Sequence, residues 1–216
     1  QADQVFCTAA GLYDTLINYN PHTVLIPNGA AYELFAQADG PKRNAKPARF
    51  CFVGMLQECI AYDYLLALAD VYQEAEIWLI GRVMPGVDIS ALSAKPNIKL
   101  LGLKPQAELP QLIADCDVCL NLFAPGRLSR DVSPLKFYEY LATSKPLVST
   151  AEPLQVRDYA DLIYIAEDIP DFLVKCGQAL TEDDAGLRSR RREAGKSASW
   201  DQRVRQMEEI LADRGL

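Results

Sequence analysis

Along most of this 216-residue chain, short apolar runs alternate with segments of helical period, and that alternation restricts the fold more than any other feature. The runs TVLIPNG (23–29), RFCFVG (49–54), EIWLIG (76–81), NIKLLG (97–102), DVCLNLF (117–123), KPLVST (145–150) and DLIYIA (161–166) read as strands. Between and after them, IAYDYLLALADVY, QAELPQLIA, SPLKFYEYLAT, DIPDFLVKCGQAL and SWDQRVRQMEEILADR read as helices. This order implies an α/β fold: a doubly wound, Rossmann-like parallel sheet with helices on both faces. Ligands of such a sheet bind at the carboxyl ends of its strands. Gly54, Gly81 and Gly102 close three of those strands and permit close backbone approach there.

One helix stands apart. In DVSPLKFYEYLATSKPLVST (131–150), Ser133 is expected as N-cap and Pro134 as first helical residue, with the end near Thr143 or Ser144, before Pro146. Most of its circumference is apolar, yet Lys136, Glu139 and Thr143 recur at i, i+3 and i+7. Two readings stand on this pattern alone. Lys136 and Glu139 form a surface pair contributing roughly 0.2–0.5 kcal/mol, or the stripe faces a polar cleft. The helix follows the strand DVCLNLF, so its free amides and positive dipole end lie on the ligand edge, where a phosphate is stabilised and Lys136 adds charge. Glu139, one turn on, is an acceptor suited to a pair of sugar hydroxyls.

A net charge of −7 argues against a nucleic-acid partner, which needs a concentrated basic face. Only RSRRR (188–192) is locally basic; it reads as a solvated helical face, with an anionic membrane surface as the secondary expectation. No apolar run approaches the roughly 18–20 residues that span a bilayer, and no signal peptide is visible. The six cysteines, several inside apolar runs, are expected as buried free thiols of a reducing cytoplasm. Cys116 and Cys119 enter a strand, where i and i+3 point to opposite faces, which argues against a metal or redox pair. The single histidine, His22, sits in the turn NPHT and leaves no histidine-based triad or metal site. Asp115 and Asp117 of DCD stand at the amino edge of the sheet, where turn and capping chemistry accounts for them.

TVLIPNGAAYELF, NIKLLGLKPQAELPQLIADCDVCLNLF and SPLKFYEYLATSKPLVST, in this order, resemble the family 4 glycosyltransferases, closest to those that build bacterial cell-surface polysaccharides. The resemblance implies the GT-B fold, two Rossmann-like domains facing each other across a cleft, with this chain as the C-terminal, donor-binding half. Residues 1–27 then correspond to the tail of the N-terminal acceptor domain and 28–48 to the interdomain connection. Residues 49–198 are the nucleotide-sugar-binding domain, and 199–216 the helix that returns to the N-terminal domain. A complete enzyme is expected to hold a further N-terminal Rossmann unit.

On the same resemblance, Asp131 and Glu139, with seven residues between them, match the family's acid pair. Glu139 is expected on the ribose hydroxyls and Asp131 on the donor sugar, with the main chain of Ser133, Pro134, Leu135 and Lys136 on the diphosphate. Gly54, Arg82, Lys104, Arg127 and Arg130 are expected to complete the donor site, and the base to rest near Leu103–Gln106. Asp131 and Lys136 are the expected catalytic residues of a retaining, metal-independent transferase. Its donor is a UDP-, GDP- or TDP-sugar, with no further cofactor, and its acceptor is a saccharide or lipid-linked saccharide. The expected location is cytoplasmic, with peripheral contact at the inner membrane. Three positions depart from the family: Asp131 for the usual Glu, Met55 where a basic residue is common, and Ser144 for a small glycine. The alternatives are a sugar-nucleotide epimerase or phosphorylase of the same fold, and a non-catalytic nucleotide-binding or assembly module, which Met55 and Ser144 favour.

Overall fold

The structure is a computed structural model that describes residues 2–40, 43, 45–126 and 131–216; Arg127 and Arg130 lie outside the described residues. The first segment, β1 (Val5–Cys7), α1 (Ala10–Leu16) and β2 (Thr23–Leu25), forms a two-stranded parallel sheet of its own. Helix α1 has no buried residue. A short helix α2 (Tyr32–Phe35) leads into the main sheet.

That sheet comprises β3 (Arg49–Val53), β4 (Glu76–Ile80), β5 (Ile98–Gly102), β6 (Val118–Asn121), β7 (Leu147–Thr150) and β8 (Tyr164–Ala166). All its pairs are parallel, in the order β5-β4-β3-β6-β7-β8. The chain winds outward from β3 to β5, returns to the centre and winds the other way. The reversal leaves a crevice between the carboxyl ends of β3 and β6, the usual ligand position in open α/β sheets.

Successive side chains leave a strand on opposite faces. Phe50 and Phe52 join Leu65, Leu68, Ile77, Leu79, Val118 and Phe172 in one core layer. Helices α3 (Tyr62–Val71) and α4 (Ser90–Ser93) contribute to it. Cys51 and Val53 join Ile80, Ile113, Cys119 and Leu141 in the other. There α5 (Leu109–Ala114) and α6 (Leu135–Ala142) pack. Helix α7 (Ile169–Thr181) closes the first face, α8 (Ala185–Ser197) packs against the second, and α9 (Trp200–Asp213) ends the chain. Among the described residues no helix is long and apolar enough to cross a membrane.

Three expectations need correction. The strand placed over 161–166 is confined to Tyr164–Ala166, the preceding residues being a turn. Cys116 and Cys119 do not point apart: Cys116 precedes β6, so strand alternation does not govern it, and both lie in the same core layer beside Cys51. RSRRR is a solvated face only in part: Ser189, Arg190 and Arg192 are exposed, Arg188 is half-buried and Arg191 is not on the surface at all. Arg188 and Arg192 pair with Asp39, Arg190 with Asp161, and Arg191 is wholly buried against Glu182. Asp117, by contrast, is held at the amino edge as expected, accepting from the Arg49 amide at 2.7 Å and pairing with Arg43 at 3.0 Å.

Candidate functional site

The crevice is built first by backbone. Gly54 donates from its amide to Ile80 O at 2.9 Å, and a Cβ on Gly81 would lie 1.9 Å from Gly54 O, so the two strand ends touch only because Gly81 has no side chain. Gly54 itself sits at φ +144°. Beyond β6 comes α6, whose start differs from the expectation by one residue. Pro134 is the N-cap and Leu135 the first helical residue. Ser133 does not cap the helix, because a distant partner takes its hydroxyl: Oγ accepts from the Asn28 amide at 3.1 Å and lies 3.3 Å from Tyr138 OH. The Asn28 side chain donates from Nδ2 to Ser133 O at 2.6 Å.

The Phe137 amide donates to Pro134 O at 3.1 Å, whereas the amides of Leu135 and Lys136 have no partner among the described residues. Two free N–H groups thus open onto the crevice at the positive end of the helix dipole.

Lys136 and Glu139 rise from this helix, and no salt bridge joins them. The surface-pair reading therefore fails; Glu139 is 9 % exposed, on a helix buried from Phe137 to Ala142. Lys136 starts on the α6 side of the sheet, yet its Nζ stands 3.7 Å from the centre of the Phe52 ring and 4.8 Å from that of Phe123, both in the opposite core layer. It reaches them past Gly54, where a Cβ would come within 3.3 Å of Nζ and 3.5 Å of Cδ. Burial pushes the ammonium down to about 7, opposed by Cys59 and Glu139. Glu139 receives one long hydrogen bond, from Gln106 Nε2 at 3.5 Å. Burial pushes its carboxyl up to about 7, opposed by that bond and by Lys136. A carboxyl and an amine, each held near neutrality one turn apart on a ligand edge, is the arrangement that functional sites share.

The remaining expected residues divide. Gln106 and the loop from Leu103 come to Glu139, with Lys104 half-buried in that loop. Arg82 follows Gly81 at the same sheet edge and is exposed, as is Met55 after Gly54. Neither Arg82 nor Lys104 is hydrogen-bonded to Lys136 or Glu139. Asp131 lines a recess of about 550 Å³ between α1 and the segment after β6, together with Asp14, Gly126 and Glu152. Lys136, Glu139 and Gly54 do not line it. A more enclosed cavity of about 40 Å³, lined by Asp117, Ser144 and Lys145, lies at the amino edge, away from this chemistry. Among the described residues no group of three His, Cys, Asp or Glu side chains is placed to hold a metal ion.

The sequence reading missed Phe52, Phe123 and Asn28. The two phenylalanines look like ordinary strand residues. Asn28 had a faint signal, a polar side chain closing the apolar run TVLIP, but nothing local couples it to Ser133.

No protein-family profile matches the chain. A Bacillus subtilis (strain 168) protein bearing the name teichuronic acid biosynthesis glycosyltransferase TuaH is 25 % identical over 224 residues, covering 96 % of this chain and 56 % of its own length. The chain thus spans about half the length of the curated relative it matches. Among solved structures, HepE of Anabaena in complex with UDP and glucose aligns with a TM-score of 0.72 at 18 % identity, over 98 % of this chain and 63 % of HepE. A glycosyltransferase from Rickettsia africae ESF-5 aligns with a TM-score of 0.74 at 13 % identity, over 97 % and 63 %. These likenesses bear out the family resemblance seen in the sequence, and the fold is that of the Rossmann-like C-terminal domain of GT-B glycosyltransferases.

Proposed function

We propose that this chain is the donor-binding half of a retaining, metal-independent glycosyltransferase of cell-surface polysaccharide synthesis. The observation that carries this reading is the start of α6, with two free amides, Lys136 and Glu139 on the crevice edge and no ion pair between the two side chains. A nucleoside diphosphate matches that set group by group. The diphosphate takes the amides of Leu135 and Lys136, the Lys136 ammonium neutralises charge growing on the leaving group, and Glu139 accepts from the ribose hydroxyls. The base rests on the Leu103–Gln106 loop. HepE, with UDP and glucose bound to the same fold, supports the donor class.

Asp131, in the recess beside α1, faces the transferred sugar and the acceptor, a saccharide or lipid-linked saccharide held by the N-terminal domain that residues 1–27 adjoin. The reaction takes place on the cytoplasmic side. The exposed Met55, where the family commonly has a basic residue, favours a second reading in which the nucleotide is bound but no sugar is transferred.

Calorimetry with UDP, GDP and TDP tests the first step: binding of at least one is expected, and none at millimolar concentration overturns the proposal. Release of the nucleotide only when an acceptor is present, with the anomeric configuration retained in the product, separates transfer from mere binding. In the protein with both domains, Lys136→Ala is expected to lower kcat more than donor affinity, because leaving-group charge peaks in the transition state.

A further inference from the structure

Residues 28–30 are bonded in two directions at once. Toward the donor helix, Asn28 gives its amide to Ser133 Oγ and its Nδ2 to Ser133 O. Toward the end of the chain, Asn28 O accepts from Arg203 Nε at 3.4 Å, Ala30 N donates to Ala198 O at 2.8 Å, and Trp200 N donates to Ala30 O at 3.1 Å. Arg203 also stands over the Tyr138 ring, 5.8 Å from its centre, and Tyr138 OH meets Ser133 Oγ. The loop closes on itself: connection, C-terminal helix and donor helix share one hydrogen-bonded knot. Its member nearest the free amides is Ser133, one residue before the N-cap.

From this geometry we propose that Asn28 is a positioning residue for the diphosphate site: its side-chain Nδ2 bond to Ser133 O, beside the main-chain bond to Ser133 Oγ, fixes where the Leu135 and Lys136 amides point. It touches no ligand itself. A helix start held only by its own turn frays, whereas one clamped on the preceding residue keeps its free N–H groups aimed, and misaim of a fraction of an ångström weakens a short anionic contact. On the reading of residues 28–48 as an interdomain connection, the same bonds pass any displacement of that segment directly to the donor amides. This rests on the reading of α6 as a nucleotide-diphosphate site.

The test compares Asn28→Ala, Asn28→Asp and Asn97→Ala. Asp keeps the shape of Asn but lacks the Nδ2 donor. Asn97 tethers main-chain carbonyls far from the crevice, its Nδ2 donating to Ala69 O at 3.0 Å and Tyr72 O at 3.2 Å, and serves as the control for mere loss of stability. Both Asn28 variants are expected to speed hydrogen exchange in residues 131–140 without ligand and to weaken nucleoside diphosphate binding on the order of ten-fold, well below the unfolding temperature. Asn97→Ala is expected to lower the melting temperature and leave both readouts unchanged. Unchanged exchange at the α6 start in Asn28→Ala overturns the positioning role even if the wild type binds UDP, GDP or TDP. Equal weakening by Asn97→Ala overturns it too. Faster exchange in a protein that binds no nucleotide overturns the reading of the site and leaves Asn28 a structural clamp.

Discussion

Helices α6 and α8 both bury charge, and they treat it in opposite ways. On α8 the guanidinium of Arg191, 0 % exposed, is matched at every nitrogen. Nη1 and Nη2 meet Glu182 at 2.5 and 2.7 Å, and Nε donates to Leu162 O at 2.6 Å. Tyr164 OH adds a bond to Glu182 at 2.9 Å. On α6, Lys136 has two aromatic faces beside its ammonium and no ion pair, and Glu139 has one long bond. A buried charge with all partners present holds the fold together; one left short of partners is driven toward neutrality and remains available to a ligand. Position agrees, since α8 lies on the outer helix layer and α6 opens on the crevice.

The largest effect expected from this contrast is on stability. Arg191→Met takes the guanidinium away from the buried Glu182 carboxylate and is expected to cost about 3–5 kcal/mol in urea unfolding, whereas the double variant Arg191→Met, Glu182→Leu recovers much of that loss. A small loss in the single variant breaks the comparison. Next is Glu139→Ala, expected to weaken nucleotide binding by about 1.5–3 kcal/mol while leaving the melting temperature unchanged or higher, since a desolvated carboxyl is removed. Calorimetry and thermal unfolding on the same samples decide it; an unfolded variant would place Glu139 with Arg191 instead.

A third, smaller effect lies in pH. Folded Glu139 holds its proton up to about pH 7, whereas the unfolded carboxyl releases it near 4.5, so the folded state binds more protons and stability falls as pH rises between them. Folded Lys136 releases its proton near 7 while the unfolded amine keeps it to about 10.5, so stability rises again above 7. Thermal melts are expected to show a shallow minimum near pH 7. Glu139→Gln should remove its acid limb and Lys136→Met its alkaline limb; a profile identical in all three proteins counts against both shifts.

The smallest effect is at the far end of α6. Ser144 sits at φ 62° with its hydroxyl buried and without a protein partner. Ser144→Gly relieves the left-handed strain at the helix end and is expected to stabilise by about 1 kcal/mol or less, with nucleotide affinity unchanged. A changed affinity would extend the functional part of α6 to its C-terminus.

Much of this architecture was legible in the chain alone. Strand and helix periods follow from side-chain directions repeated every two or 3.6 residues, so RFCFVG, EIWLIG and SPLKFYEYLAT announce their elements without partners. The parallel sheet follows from their alternation, and the ligand edge from the sheet. Lys136 and Glu139 stood out because charge is rare inside an apolar helix. The sequence also contained Ser133, Arg191, Cys116 and Asn28, but their surroundings were misjudged or unseen. Ser133 looks like a cap until Asn28, 105 residues away, takes its hydroxyl, and Arg191 looks solvated until Glu182 and Leu162 O enclose it. Periodicity is a local property, written within one turn or one strand. Satisfaction of a buried polar group depends on whatever the fold brings within about 3 Å of it, which for these residues comes from distant parts of the chain and so is decided only when the tertiary structure closes.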